Sequence, residues 1–110
     1  MLYWSADHRH YVVPDCETEI LFDEASGIKP IRRITRSKLE TGFSVPESVS
    51  EKDERVFLVL RGDLTFNDNG EETVLHRFDS AIIRRGESCA YRNDTSAIVD
   101  MMEFDYYVEP

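Results

Sequence analysis

Residues 42–62 read GFSVPESVSEKDERVFLVLRG, and this stretch decides the class of fold. In its second half, Arg55 is followed by a run of β-branched, aromatic and leucine side chains at 56–60, which ends at Arg61-Gly62-Asp63. A short apolar run closed by a glycine turn is typical of a β-strand. The segment PESVSEKDER at 46–55 has many charges and no apolar stripe, so we predict a loop there.

Similar short strands are predicted on both sides of this stretch, at intervals of about ten residues. The tip Asn67-Asp68-Asn69-Gly70 predicts a hairpin between two of them, because an Asn-Gly pair favours a tight turn. The predicted strands lie at 31–39, 55–60, 64–66, 72–76, 81–83, 89–91 and 97–104, with others in 1–30 and an edge strand in the tail 105–110. Many short strands without a long helix predict an all-β sandwich or barrel.

The chain has 110 residues, which predicts a single domain over 1–110 with its core at about 31–104. A net charge of -9 disfavours binding to nucleic acid or to an anionic membrane, since both require a basic surface. No apolar run reaches the ~18–20 residues of a membrane span, and the first residues lack the apolar centre of a signal peptide. Two cysteines, Cys16 and Cys89, form no disulfide scaffold, so we expect a cytoplasmic protein.

The opening stretch resembles the first motif of the cupin superfamily, the small jelly-roll barrels. That motif runs G-x5-H-x-H-x4-E-x6-G, and Gly42, Ser48, Ser50, Arg55 and Gly62 fall at its intervals. Both glycines are kept, and FLVLRG is similar to the strand and turn that end the motif.

A second family motif runs G-x5-P-x-G-x2-H-x3-N, and residues 78–93, FDSAIIRRGESCAYRN, have its spacing. Gly86 and Asn93 are identical to it, whereas Phe78 and Cys89 stand in the places of Gly and His. The resemblance implies an all-β fold, a single cupin-type jelly-roll β-barrel (a double-stranded β-helix). The segment GESCAY is also similar to the metal-poor cupins of ethanolamine utilisation.

The family's metal ligands are three His and one Glu, and Ser48, Ser50, Arg55 and Cys89 replace them here. Hydroxyls, a thiol and a guanidinium do not form a normal site for a divalent first-row metal. We therefore expect no metal and no other cofactor. A cupin that holds a metal through other ligands remains an alternative.

The resemblance directs these side chains into the barrel, and alternation along each strand adds their neighbours two residues away. The predicted pocket is lined by Ser48, Ser50, Arg55, Phe57, Cys89 and Tyr91. Arg55 would clamp the carboxylate or phosphate of a ligand. Otherwise it forms a salt bridge with Glu51, Glu54 or Asp100, or it reaches solvent.

Two pocket residues are candidates for catalysis, although the sequence leaves the catalytic residues unknown. Arg55 would lower the pKa of the Cys89 thiol and favour a nucleophile, whereas the alternative is a small buried side chain. Tyr91 would transfer a proton, with its phenolate favoured by the same cation, or it would form a wall of the pocket.

Other polar residues are harder to place. His8 and His10 form an H-x-H pair without a third ligand at a recognisable spacing, so we expect a surface strand there, and His76 at the rim. Alternation divides the basic run of strand 31–39 into two sets, and the sequence leaves open which set faces the cavity. One set contains Arg32, Arg36 and Lys38, and the other contains Arg33.

The resulting hypothesis is a metal-independent cupin that binds a small anionic metabolite, such as a carboxylate or a sugar phosphate, in its barrel. The alternative is a metal-free isomerase, dehydratase or lyase that uses acid–base chemistry in the same cavity. Besides this small molecule, we expect a second copy of the chain as partner. The aromatic residues near both ends suit the contact surface of such a homodimer: Tyr3, Trp4, Tyr106 and Tyr107.

Overall fold

Ten β-strands and no helix are present in the computed structural model, which describes residues 9–13, 16–23 and 31–108, with side chains at 16–21 and 31–108. The strands are β1 (Arg9–Val13), β2 (Cys16–Asp23), β3 (Ile31–Leu39), β4 (Ser44–Val49), β5 (Asp53–Arg61), β6 (Leu64–Asp68), β7 (Glu71–Leu75), β8 (Ser80–Ile83), β9 (Ser88–Arg92) and β10 (Val99–Tyr107). In these residues we find no helix of the length and apolarity that a membrane crossing requires.

The strands form two antiparallel sheets that face each other. The larger sheet has the order β1-β2-β3-β10-β5-β8, and the smaller has the order β4-β9-β6-β7. From β3 to β10 the chain passes from one sheet to the other at every connection except the β6–β7 hairpin. This is a jelly-roll barrel, and the predicted all-β fold class is confirmed.

The β6–β7 hairpin shows how closely local sequence determines this fold. Asp68 pairs with Glu71, so the loop has only two residues, Asn69 and Gly70, and both have a positive φ, of 51° and 93°. A two-residue loop of this kind needs the left-handed region at both positions, which Asn and Gly tolerate best.

Two predictions about strand limits were wrong. Most of the predicted loop at 46–55 is strand, because β4 covers its first residues and β5 begins at Asp53. The tail at 105–107 is not a separate edge strand: it continues β10, which lies between β3 and β5 in the middle of the larger sheet. The first error has a simple reason: the side chains of β4 are mostly exposed and show no apolar alternation.

The interior of the barrel is apolar at one end and polar at the other. The apolar end contains side chains with no exposed surface, among them Leu39, Val59, Leu64 and Val99. Toward the other end the same strands place Thr35, Arg55 and Asp105 inside, each 8% exposed. Because inward residues alternate with outward ones, the burial of Thr35 and Leu39 shows which set of β3 faces inward. Arg33 belongs to this set, but its own side chain is about half exposed.

Candidate functional site

Arg55 lies inside the polar end of the barrel, as the resemblance to the first cupin motif implied. Its Nη1 donates a hydrogen bond to Ser48 Oγ at 2.9 Å, and its Nη2 donates to the carbonyl oxygens of Ser48 and Glu87 at 3.1 and 3.5 Å. Nε is buried and has no partner among the described residues. The side chain therefore neither reaches solvent nor uses a carboxylate there for its hydrogen bonds.

The two serines of the predicted pocket are not equivalent. Ser48 is exposed on the edge strand β4, and its hydroxyl accepts a hydrogen bond from Arg55. Ser50 follows the end of β4, where its hydroxyl accepts from the backbone N–H of Asp53 at 3.1 Å. Only Ser48 is thus in contact with Arg55, and Ser50 stabilises the turn between β4 and β5.

Aromatic rings form one wall of the interior. The ring centroid of Phe57 lies 5.0 Å from that of Phe66 and 5.4 Å from that of Tyr91, and the rings of Phe66 and Tyr91 are nearly parallel. Burial, and then the nearby charge of Glu103, strongly raise the pKa of Tyr91. The phenol therefore keeps its proton and could donate a hydrogen bond to a ligand, whereas the sequence had led us to expect that Arg55 would favour the phenolate.

Cys89 is 2% exposed and lies against the apolar core. Burial raises the pKa of its thiol, and the opposing effects of Arg55 and Ser48 are smaller. The expected lowering by Arg55 is present, but desolvation outweighs it. A protonated, buried thiol is a weak nucleophile, so the structure favours the packing interpretation of Cys89.

Two carboxyl groups of β10, Glu103 and Asp105, complete the polar interior, and sequence reasoning missed both. Burial and the neighbouring Asp105 raise the pKa of Glu103 to about 8, against smaller lowering effects of Arg33 and Arg55. Asp105 Oδ2 accepts a long hydrogen bond of 3.4 Å from Arg33. A signal was present in the sequence, because these acids continue the inward alternation of Val99 and Met101.

The remaining candidates lie elsewhere. Arg36 forms an outward ion pair with Asp100, with nitrogen–oxygen distances of 2.9 and 2.5 Å, and Arg32 pairs with Asp53. His76 is exposed and bonds to Asp63, which raises its pKa. His8 is outside the described residues, and only the backbone of His10 is described, in β1.

A concave feature lies on the outer face of the larger sheet. It is a groove of about 450 Å³ at the opposite end of the strands from Arg55, lined by Arg36, Lys38, Arg61, Ala97, Ile98 and Asp100. Its side chains point away from the interior. The groove is therefore separate from the site around Arg55.

The family described as "Cupin domain" matches residues 35–105. The chain belongs to the cupin family. No curated protein matches it.

Solved cupin structures agree with this assignment. The structure of a predicted oxalate decarboxylase from Thermotoga maritima superposes with a TM-score of 0.80 at 20% identity, over 98% of this chain and 99% of that chain. The cupin domain of an XRE family transcriptional regulator from Enterobacter cloacae gives 0.74 at 21% identity, over 86% and 99%. KdgF from Halomonas sp. gives 0.74 at 14% identity, over 94% and 88%. At these identities the likeness shows the fold alone.

The residues of this cupin do not fit the metal that many family members hold. Hydroxyls, a guanidinium and a thiol stand at the four ligand positions of the motifs, and Arg55 is hydrogen-bonded across the place of a ligand. Within the part of the chain that the structure describes, no three His, Cys, Asp or Glu side chains cluster in a way that could hold an ion. A guanidinium in such a position opposes a divalent cation.

Proposed function

We propose that this cupin binds a small anionic molecule in the polar end of its barrel, without a metal ion. The observation that carries the proposal is Arg55, a cation that is 8% exposed and whose Nε–H has no hydrogen-bond partner among the described residues. A buried N–H without an acceptor is costly, and an anionic ligand would supply that acceptor together with a compensating charge.

The surroundings of Arg55 support an anion over a cation as ligand. Tyr91 retains its phenolic proton and is a further donor on the same inner surface. The terminal nitrogens of Arg55 are oriented by Ser48 and Glu87, so Nε does not need to be positioned by the ligand. A fixed donor loses little side-chain entropy on binding.

Metal independence is part of the proposal. The donor set at the motif positions supports it, because Arg55 replaces the family's carboxylate ligand with a cation. Native mass spectrometry of freshly purified protein is expected to show an organic ligand and no stoichiometric transition metal. About one Fe, Mn, Ni or Zn per chain that persists in a His8→Ala/His10→Ala variant would contradict this part.

The test of the anion site is calorimetric titration of small carboxylates and sugar phosphates into wild type and Arg55→Lys. Lysine keeps the charge but cannot place an N–H where Nε lies, so binding is expected to weaken by about 1–3 kcal/mol. Arg92→Lys is the matched control, since Arg92 lies on the surface and pairs with Glu72 and Asp94. Equal affinity of all three proteins would show that Arg55 does not bind the ligand.

A second candidate function, a metal-free acid–base enzyme, gains support from Glu103. From the sequence, no base with a pKa near neutrality could be placed in the cavity, whereas Glu103 lies there with a pKa of about 8. General acid–base catalysis works best with such a group. The two functions are separated by following a bound ligand over time, because an enzyme converts it and Glu103→Gln abolishes the conversion while binding persists.

We also infer that two copies of the chain pair through the outer face of the larger sheet. Ile34, Phe104, Val56 and Ile82 are aligned across β3, β10, β5 and β8, since Phe104 pairs with both Ile34 and Val56, and Val56 pairs with Ile82. Ile82 is 57% exposed. An apolar row of this kind on a sheet's outer face is typical of an interface.

The chemistry of the chain is consistent with a cytoplasmic location, which we propose. Cys16 and Cys89 are both free thiols, as expected in a reducing compartment. The net charge of -9 continues to disfavour nucleic acid and anionic membranes as partners.

A further inference from the structure

The inner end of β10 places two carboxyl groups side by side. Glu103 and Asp105 are two residues apart on one strand, so both side chains point into the barrel. Asp105 is 8% exposed, and its Oδ1 accepts no hydrogen bond from any N–H or O–H group of the described residues. A buried carboxylate oxygen without a donor requires an explanation.

The groups that face this pair come from three other strands. Arg33 of β3 reaches Asp105 from the mouth of the barrel, and Arg55 of β5 is directly opposite Asp105 in the strand pairing. Tyr91 and Cys89 of β9 face the pair across the interior, and both keep their protons. Arg55 therefore lies inside with the two carboxyl groups, and Arg33, whose side chain is about half exposed, adds a second positive charge at the mouth.

A neighbouring carboxylate and partial burial both disfavour the ionised form of Glu103. A proton on Glu103 would provide the donor that Asp105 Oδ1 lacks, and the raised pKa of Glu103 agrees with this arrangement. With one shared proton, the pair has a charge of -1 against the two charges of Arg33 and Arg55. The described site is then left with one positive charge.

We propose that Glu103 keeps a proton and donates it in a hydrogen bond to Asp105, and that this shared proton makes the barrel selective for singly charged carboxylates over doubly charged anions. This inference rests on the proposed function and specifies the ligand of the same site. A monocarboxylate neutralises the remaining charge of the site. A dianion leaves an excess negative charge in a desolvated place, which is unfavourable.

The shared proton also determines how binding depends on pH. Above about pH 8, where Glu103 ionises, the site loses its excess positive charge and no longer attracts the anion. Binding of a monocarboxylate is thus expected to weaken by up to about tenfold per pH unit above that value, since the complex retains a proton that the free protein has lost. Near pH 8, the protein is therefore expected to take up a fraction of a proton when it binds the monocarboxylate.

The experiment compares propionate with succinate, two linear acids that differ in charge, by calorimetry at about pH 6.5 and about pH 9.5. Wild type is expected to bind propionate at least about tenfold more tightly than succinate at the lower pH, and to lose most of that binding at the higher pH. Glu103→Gln keeps a neutral donor beside Asp105, so it is expected to bind propionate equally at both values. Glu72→Gln is the surface control and should behave as wild type.

Infrared spectroscopy tests the shared proton without any ligand. The C=O band of a protonated carboxyl group is expected in wild type at pH 7, and it should be absent at high pH and in Glu103→Gln. Absence of this band in wild type overturns the inference while leaving the anion site of Arg55 intact, as does tighter binding of succinate than of propionate.

The remaining outcomes are also decisive. One outcome is that Arg55→Lys leaves the affinity for propionate unchanged, while Glu103→Gln removes its pH dependence. That outcome supports the shared proton and contradicts the role of Arg55. If neither acid binds at either pH, both the charge selectivity and the proposed anion site are wrong.

Discussion

Asn93 shows how much of this barrel depends on a single polar side chain. It has no exposed surface, and its Nδ2 donates to the carbonyl oxygens of Leu39 and Ala97 at 2.9 and 2.7 Å. Its Oδ1 accepts from the backbone N–H and the hydroxyl of Thr95. All four hydrogen-bonding positions of the amide are used, which joins the end of β3 to the loop before β10.

Asn93→Ala is expected to destabilise the fold by roughly 3–5 kcal/mol, because it leaves several buried polar groups without partners. Asn67→Ala is the matched control, since Asn67 Oδ1 accepts one bond from the N–H of Gly70 in an exposed turn, and its loss should cost less than about 1 kcal/mol. Denaturant unfolding measures both. Similar losses for the two variants would contradict the structural role of Asn93.

At the residue scale, position could be predicted from the sequence but ionisation could not. Alternation from Arg55 correctly placed Phe57 inside, and the spacing of the second motif placed Cys89 and Tyr91 there as well. For Cys89 and Tyr91 the sequence left two interpretations open, because the net direction of each pKa depends on burial and on Glu103, which is brought close only by the folding of β10 against the other strands. Such long-range electrostatics have no local signature.

At the scale of the elements, the turn after β5 has no room for a side chain at Gly62. Gly62 has a φ of +87°, and a Cβ there would lie 2.9 Å from the carbonyl oxygen of Ile98 and 3.2 Å from Val99 Cα. Gly86 also has a positive φ, +84°, but a Cβ there would meet nothing within 4 Å. A substitution at Gly86 therefore measures the cost of the positive φ alone, whereas one at Gly62 adds the cost of the close contact with the backbone.

We expect Gly86→Ala to destabilise the fold by about 1 kcal/mol, the cost of a left-handed non-glycine residue, and Gly62→Ala by roughly 2–4 kcal/mol. The difference is the steric clash with the backbone before β10. Thermal unfolding of the two variants measures it. The clash has no effect if both melting temperatures fall by the same amount.

β4 is the element that the sequence failed to predict, and its place in the sheet gives the physical reason. β4 lies at the edge of the smaller sheet, most of its side chains are exposed, and its pairing with β9 is irregular around Pro46 and Glu47. Edge strands tolerate proline and need no apolar alternation, so little remains to recognise. The hairpin of β6 and β7 has the opposite character, and its turn residues located it correctly.

For the whole molecule, two opposing effects decide whether a second copy binds to the outer face of the larger sheet. The apolar row from Ile34 to Ile82 favours contact with a second sheet, whereas the net charge of -9 repels a second copy. Of the aromatic residues expected at the contact, Tyr3 and Trp4 lie outside the described residues. Tyr106 donates to Glu54, and Tyr107 lies under the guanidinium of Arg32, so both already have contacts within the chain. The apolar row is therefore the stronger basis for a dimer.

Analytical ultracentrifugation is expected to give wild type a mass of twice 12.8 kDa, and added salt should strengthen the dimer because it screens the repulsion between the two acidic chains. Ile82→Glu places a charge in the apolar row and should weaken association by at least about tenfold. Val74→Glu is the matched control, because Val74 is a 47% exposed apolar residue on the smaller sheet. A wild-type monomer at all concentrations, or equal dissociation by both variants, would show that this face is not the interface.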